Sequence, residues 1–275
     1  MDRYNLPLER IVDEWKAIVR EPSALQEGGM YLTANDNQRE LFVDTLQYSI
    51  LRRGGLGLIL TEIAGGREDG KGITIIEEVL ENGNAAGCGL VPGDSIVALS
   101  IVQSKNVDLN EELVDNTSVG TECLGYDATV AAISSLPLPV TDDELITLTV
   151  KRLRRQPRIT VTLQYPPNTN EKDVRIELFA GENLRRAMLA RGVKLNDKLA
   201  ERFDSGGSGD CGSDGTCATC VVGVTRGMEL LSPAKIQEGQ ILSRKPGWRM
   251  ACKAVVGYGM KEGELTLRVN PRQWE

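Results

Sequence analysis

Asp210-Cys211-Gly212-Ser213-Asp214-Gly215-Thr216-Cys217-Ala218-Thr219-Cys220 crowds three cysteines into one short stretch, and a fourth follows in Trp248-Arg249-Met250-Ala251-Cys252. The pattern C-x5-C-x2-C…C offers four thiolates, which is the number a [2Fe–2S] cluster takes, two per iron. The small residues between them have a physical use. A loop that wraps an inorganic cluster must bring its backbone close, and glycine allows both the approach and a positive φ. Amides turned inward can then donate to the sulfurs and help set the potential.

Other uses of four cysteines fit less well. A zinc ribbon offers two C-x2-C knuckles, and only Cys217 and Cys220 form one here. A disulfide framework belongs to small secreted chains, not to 275 residues. The chain has no histidine, which excludes a Rieske centre, a Cys-His protease and a Ser-His-Asp triad. Gly207-Ser208-Gly209-Asp210-Cys211-Gly212 matches G-x-G-x-x-G, yet no strand pattern leads into it. That motif carries meaning only between a strand and a helix, so the stretch is assigned to the cysteine loop.

Outward from the loop, Ile159, Val161, Leu163 and Tyr165 alternate with polar residues, the period of a half-buried strand. Pro166-Pro167-Asn168-Thr169-Asn170 breaks it, and Val174, Ile176 and Leu178 begin a second strand. A helix over Asn183–Arg191 buries Leu184, Ala187 and Met188 and stops at Gly192; Leu265, Leu267 and Val269 mark a late strand. Hairpin, helix, cysteine loop and late strand predict a β-grasp fold over residues 157–275. This part resembles a [2Fe–2S] ferredoxin through Leu178–Leu184, the Cys211–Cys220 loop and Arg249-Met250-Ala251-Cys252; the spacing is one residue longer than the plant type in its first gap. The resemblance implies Cys211, Cys217, Cys220 and Cys252 as ligands.

The first half reads differently. Phe42–Ile50 alternates, and Arg52-Arg53-Gly54-Gly55-Leu56-Gly57-Leu58, Gly72–Ile76, Asn84-Ala85-Ala86-Gly87 and Leu90–Ile96 follow in order. The series over 41–156 resembles a PDZ domain, a partly open β-barrel with helices, so the whole chain is expected to be α+β. The resemblance implies peptide capture by β-augmentation. Amides of Leu56, Gly57 and Leu58, in the loop that begins at Gly55, would take a carboxylate beside Arg53. The helix Tyr126–Leu136 would complete the groove, with Tyr126 at its first specificity position and Val130 and Ile133 lining an apolar pocket next to Leu58 and Leu60. Residues 101–125, with Asp108, Glu111, Glu112 and Asp115, are read as a long solvated loop. Residues 1–40 carry Leu8, Ile11, Trp15 and Ile18 at near-helical spacing, a helical extension suited to capping the first core or to docking on a partner, with the first use favoured. Cys88 and Cys123 are read as spare or buried thiols.

Charge separates the halves: residues 158–275 are net +4 and residues 1–157 net −11, within a total of −7. The basic excess is dispersed without aromatic interleaving, against nucleic-acid binding. No run is long and apolar enough to span a membrane, and no signal peptide is read at Met1–Asn5. The combination resembles plastid PDZ–ferredoxin proteins of algae, which implies a chloroplast stromal protein, peripheral on the stromal face of a thylakoid complex such as photosystem I. Two roles follow from it, and neither gives the chain a substrate of its own. In one it is an electron carrier with redox protein partners, positioned on its complex by a C-terminal or internal partner peptide in the groove. In the other it is a peripheral subunit or assembly factor whose cluster is mainly structural.

Overall fold

A computed structural model describes residues 2–22, 28–35, 40–105, 113–139, 141–195 and 211–274. The described chain is mostly β-sheet with a few short helices, an α+β composition, and it divides into two compact units, Met1–Arg155 and Gln156–Glu275.

Unit 1 runs α1 (Leu8–Glu14), β1 (Trp15–Arg20), β2 (Gly29–Ala34), β3 (Leu41–Leu51), β4 (Leu58–Ala64), β5 (Ile73–Val79), β6 (Ser95–Lys105), β7 (Leu113–Gly120), α2 (Tyr126–Ser134) and β8 (Leu145–Arg155). An antiparallel sheet of order β3-β8-β6-β7 is joined by the ribbons β4-β5 and β1-β2. Period two is plain along β8: Ile146, Leu148 and Val150 all face inward and pack with Ile50, Ile76 and Leu99. The same face continues to Arg152, which is buried with Asp94. Its Nε and Nη2 donate to the two carboxylate oxygens at 2.7 Å each, and Nη2 also reaches the Gly89 carbonyl.

Two expectations for this unit change. The stripe in residues 1–40 is helical only over Leu8–Glu14, and the chain then becomes a hairpin, with Trp15 opposite Ala34 and Arg20 opposite Gly29. The β-branched pair Ile18-Val19 favours that pleat. Its apolar residues do cover the core: Leu6, Ile11, Trp15 and Leu32 pack on Ile75 and Leu153, and the Trp15 indole donates to the Gly93 carbonyl at 3.2 Å. The stretch 101–125 is not one loop, because Leu113–Gly120 pairs back onto β6, with Gly120 opposite Ala98; Asp108, Glu111 and Glu112 lie outside the described residues. The basic run Arg152–Arg155 forms the end of β8, where Arg152 and Arg154 meet Asp94 and Asp44.

Unit 2 contains β9 (Arg158–Gln164), β10 (Val174–Phe179), α3 (Leu184–Ala190), β11 (Val221–Arg226), α4 (Ile236–Ile241), β12 (Trp248–Met250) and β13 (Gly263–Val269). The sheet order is β10-β9-β13-β11-β12, and β13 runs parallel to β9 while every other pairing is antiparallel. Ile159, Val161 and Leu163 are fully buried, as are Leu265, Leu267 and Val269. Asn183 caps α3 by accepting from the Arg186 amide at 3.1 Å, and Gly192 leaves it at φ +78°. Leu184, Ala187 and Met188 pin α3 to the sheet. The helix thereby stands beside the cysteine loop.

Candidate functional site

The cysteine loop enters β11 from a series of left-handed positions: Gly212, Ser213, Gly215 and Ala218 all have positive φ. Gly215 holds φ +83°, a backbone conformation that side-chain-bearing residues rarely adopt. This winding aims backbone amides at sulfur. The Gly215 N–H donates to Cys211 Sγ at 3.3 Å, and the Cys217 thiol lies 3.3 Å from the same sulfur. Thr219 Oγ1 stands 3.1 Å from Cys217 Sγ. Cys252, arriving from β12, hydrogen-bonds Cys220 through its side chain and its amide, and the Ala251 amide donates to the Cys220 carbonyl at 3.1 Å.

The four sulfurs thus form two close pairs, Cys211 with Cys217 and Cys220 with Cys252. Among the described residues no three His, Cys, Asp or Glu side chains gather so as to hold one metal ion. A mononuclear site needs three or four ligands about one point, whereas a two-iron cluster asks for two thiolates at each iron. The donor set fits the second demand, and all but Cys211 are buried.

Electrostatics favour thiolates at the loop. Burial works against ionising Cys211, but donors from Cys217, Thr216 and Gly215 overcome it and hold its pKa down to about 6. Cys220 is lowered to about 7, first by the hydrogen bond from Cys252 and, after burial opposes it, by the Cys252 amide and the Arg185 charge. Cys252 is pushed far up as the donor of that pair. Several supporting residues escaped the sequence reading. Asn183 Nδ2 donates to the Cys252 carbonyl at 2.8 Å, Arg185 to Ser213 Oγ at 3.3 Å, and Arg272 to the Ala218 carbonyl at 3.2 Å. Arg272 lies 52 positions after Cys220 and carries no motif, so only the fold reveals it. Asp210 and Gly207–Gly209 lie outside the described residues.

In unit 1, Leu56, Gly57, Leu58, Leu60, Val130 and Ile133 line a cavity of about 210 Å³, closed by Ile96 and Ser134. Gly57 is at φ +72°, and a Cβ there would collide with Gly83. The loop is braced from behind. Asn84 Nδ2 donates to the Arg53 and Gly55 carbonyls at 2.6 and 2.9 Å, and the Leu80 and Ala85 amides take the Gly57 and Leu56 carbonyls. Its own Leu56 and Gly57 amides donate to nothing among the described residues. Three expected groove residues stand outside the lining. Gly55 sits at the loop's exposed tip at φ +90°, Arg53 is ion-paired with Asp142, and Tyr126 is exposed, its amide donating to Glu62 Oε2 at 2.6 Å.

No described helix is long and apolar enough to cross a membrane. No family model matches the chain. By structure, unit-sized similarity is found to an ISC-like [2Fe–2S] ferredoxin of Pseudomonas putida, at 20% identity and a TM-score of 0.30, covering 41% of this chain and 91% of that one. By sequence, the chain is 34% identical over 96 residues to the photosynthetic NDH subunit of subcomplex B 3, chloroplastic, of Arabidopsis thaliana. The match takes in 34% of this chain and 44% of the relative, so the chain spans less than half of the curated protein it resembles.

Proposed function

We propose that this chain is a peripheral subunit of a chloroplast photosynthetic complex of NDH type, and that its second unit holds a [2Fe–2S] cluster on Cys211, Cys217, Cys220 and Cys252. The observation that carries the cluster is the two-plus-two arrangement of the cysteines on a loop wound by four left-handed residues. The similarity to the Arabidopsis subunit supports the place in a complex and favours an NDH complex over photosystem I. In this reading unit 2 is a ferredoxin-like β-grasp domain and unit 1 a PDZ-like one, with the boundary at residues 155–156.

A bound cluster supplies a one-electron couple. The chain's own residues do the rest. The Gly215, Thr216 and Cys217 amides stabilise negative charge on the Cys211 sulfur, and Arg185 does so at Cys220. Burial of Cys217, Cys220 and Cys252 keeps water from the sulfurs. Arg272 and Asn183 fix the loop by its carbonyls.

The groove favours a second reading, in which the cluster relays electrons and unit 1 positions it. Its apolar lining and two loop amides without a partner among the described residues suit the end of a partner peptide, and tethering raises effective concentration. One experiment serves both readings. Thylakoid complexes are separated on a native gel and the chain's band analysed for metal, with a spectroscopic redox titration. Co-migration with the NDH complex, two irons and two sulfides per chain and a rhombic signal on reduction are expected. One zinc per chain without visible absorption overturns the cluster, and co-migration with photosystem I overturns the NDH assignment. Reduction of the cluster by the complex itself selects the relay; a cluster that the complex cannot reduce selects the structural role.

A further inference from the structure

Unit 2 has a second cavity that the cysteine site does not use. It measures about 590 Å³ and opens between the turn Met228–Leu230, α4 and β12. Its walls are apolar: Met228, Leu231, Leu242, Pro246, Trp248 and Tyr258. Its polar element is an ion pair sealed from water, Arg249 and Glu238, whose side chains are 5% and 1% exposed. Arg249 Nε donates to Glu238 Oε1 at 2.8 Å and Nη2 to Oε2 at 3.4 Å, while the Met250 amide takes Oε1 at 2.6 Å. Nη1 is left over. Among the described residues its only partner is the Met228 thioether, 4.0 Å away, and a thioether is a weak acceptor. A buried guanidinium N–H without an oxygen partner costs free energy that an incoming carboxylate would recover.

The apolar character does not stop at the cavity. Outside it, Ile236 is 83% exposed and Ile241 48%, and Tyr258 of the wall is itself 51% exposed. Lys245 and Lys261 belong to the wall, against one acidic residue there besides the paired Glu238, Glu229. An apolar hole with a waiting cation, a basic wall and an exposed apolar collar matches the anatomy of a protein interface built around one anchor. A small acid could enter the hole but would leave the collar in water. We propose that this face docks a partner-protein segment presenting a bulky apolar side chain beside an Asp or Glu. The inference rests on the reading of the chain as a subunit of a complex, and names the face by which unit 2 is held.

The test exchanges full-length variants for the wild type and measures incorporation into the native complex. At Gly239 a Cβ meets open space, so Gly239→Trp plugs the cavity mouth while Gly239→Ala serves as its control. Ile236→Glu places a like charge on the collar, at a side chain that is 83% exposed. Both Trp and Glu variants are expected to lose at least tenfold in incorporation with an unchanged thermal melt, and Gly239→Ala to lose nothing. Wild-type incorporation of either variant overturns the proposal. Absence of the wild-type chain itself from every membrane complex overturns the subunit reading instead. A benzoylphenylalanine photocrosslinker in place of Tyr258 identifies the occupant in the assembled complex. The expected adduct is a peptide with Asp or Glu within two positions of an aromatic or aliphatic residue; a lipid adduct, a basic peptide or no adduct overturns the proposal.

Discussion

Arg152 carries a full charge to a place where only 3% of its side chain meets water. It is tolerated there because Asp94 meets it with both oxygens and Gly89 with a carbonyl. Removing one partner strands the other, so Arg152→Ala should destabilise unit 1 by about 3–5 kcal/mol, read as a lower denaturant midpoint. Cys123 gives a second residue-level expectation. Burial, helped by Glu122 and opposed by Lys151 and Lys71, raises its pKa from 9.0 to about 11. The unfolded thiol therefore ionises first. Its contribution to stability is complete below pH 9 and is lost as pH rises toward 11. Denaturation against pH should show this fall in the wild type and a smaller one in Cys123→Ala. At the cysteine site, Cys252→Ser should abolish the visible spectrum and the bound iron, while Cys88→Ser should leave both intact, because Cys88 has no cysteine near it in the loop.

Among the elements, the strands with clean alternation were legible: 159–165, 174–178 and 265–269 show their buried face in the letters alone, and Asn183 and Gly192 bracket α3. The cysteine spacing was equally legible. Other elements were hidden because their determinants are distant. Nothing local in Leu113–Gly120 announces a strand; its order comes from pairing with β6. The charges of Arg152-Leu153-Arg154-Arg155 mask a buried strand end, because Asp94 and Asp44, which meet Arg152 and Arg154, lie far back in sequence. Trp15 and Ile18 keep helical spacing although β2 draws them into a hairpin. In the groove, β4 and α2 supply facing apolar side chains around a glycine loop. Leu58→Asp puts a charge among them, and the expected outcome is release of the chain from its complex, seen on a native gel, with the visible spectrum unchanged. Retention of the variant would argue that the groove is only part of the scaffold.

For the whole molecule, the contrast between −11 and +4 has consequences for encounter. Long-range steering depends on the sign of the face presented and fades over about 8 Å at physiological salt. A unit with net positive charge is poorly matched to reductases that receive acidic carriers. Residues 158–275 alone should therefore replace an acidic soluble ferredoxin inefficiently in a reductase assay, and raising the salt should narrow the gap; equal turnover at low salt would contradict the charge argument.

Both units also share a feature of strand order. In unit 1 the last strand, β8, lies between β3 and β6; in unit 2 the last strand, β13, lies between β9 and β11. Neither sheet can close until its final strand has been synthesised. Roughly a hundred positions separate the parallel partners β9 and β13, which at 5–20 residues per second is about 5–20 s of translation. Cys220 precedes Gly263 by 43 positions, so for roughly the last 2–9 s of that interval the nascent second half has its three-cysteine loop but no central strand to rest on. The time at which iron is delivered, relative to the ribosome, thus becomes a variable in making this protein, and slow codons between Cys252 and Gly263 would lengthen the window in which its thiols stand open to oxidants.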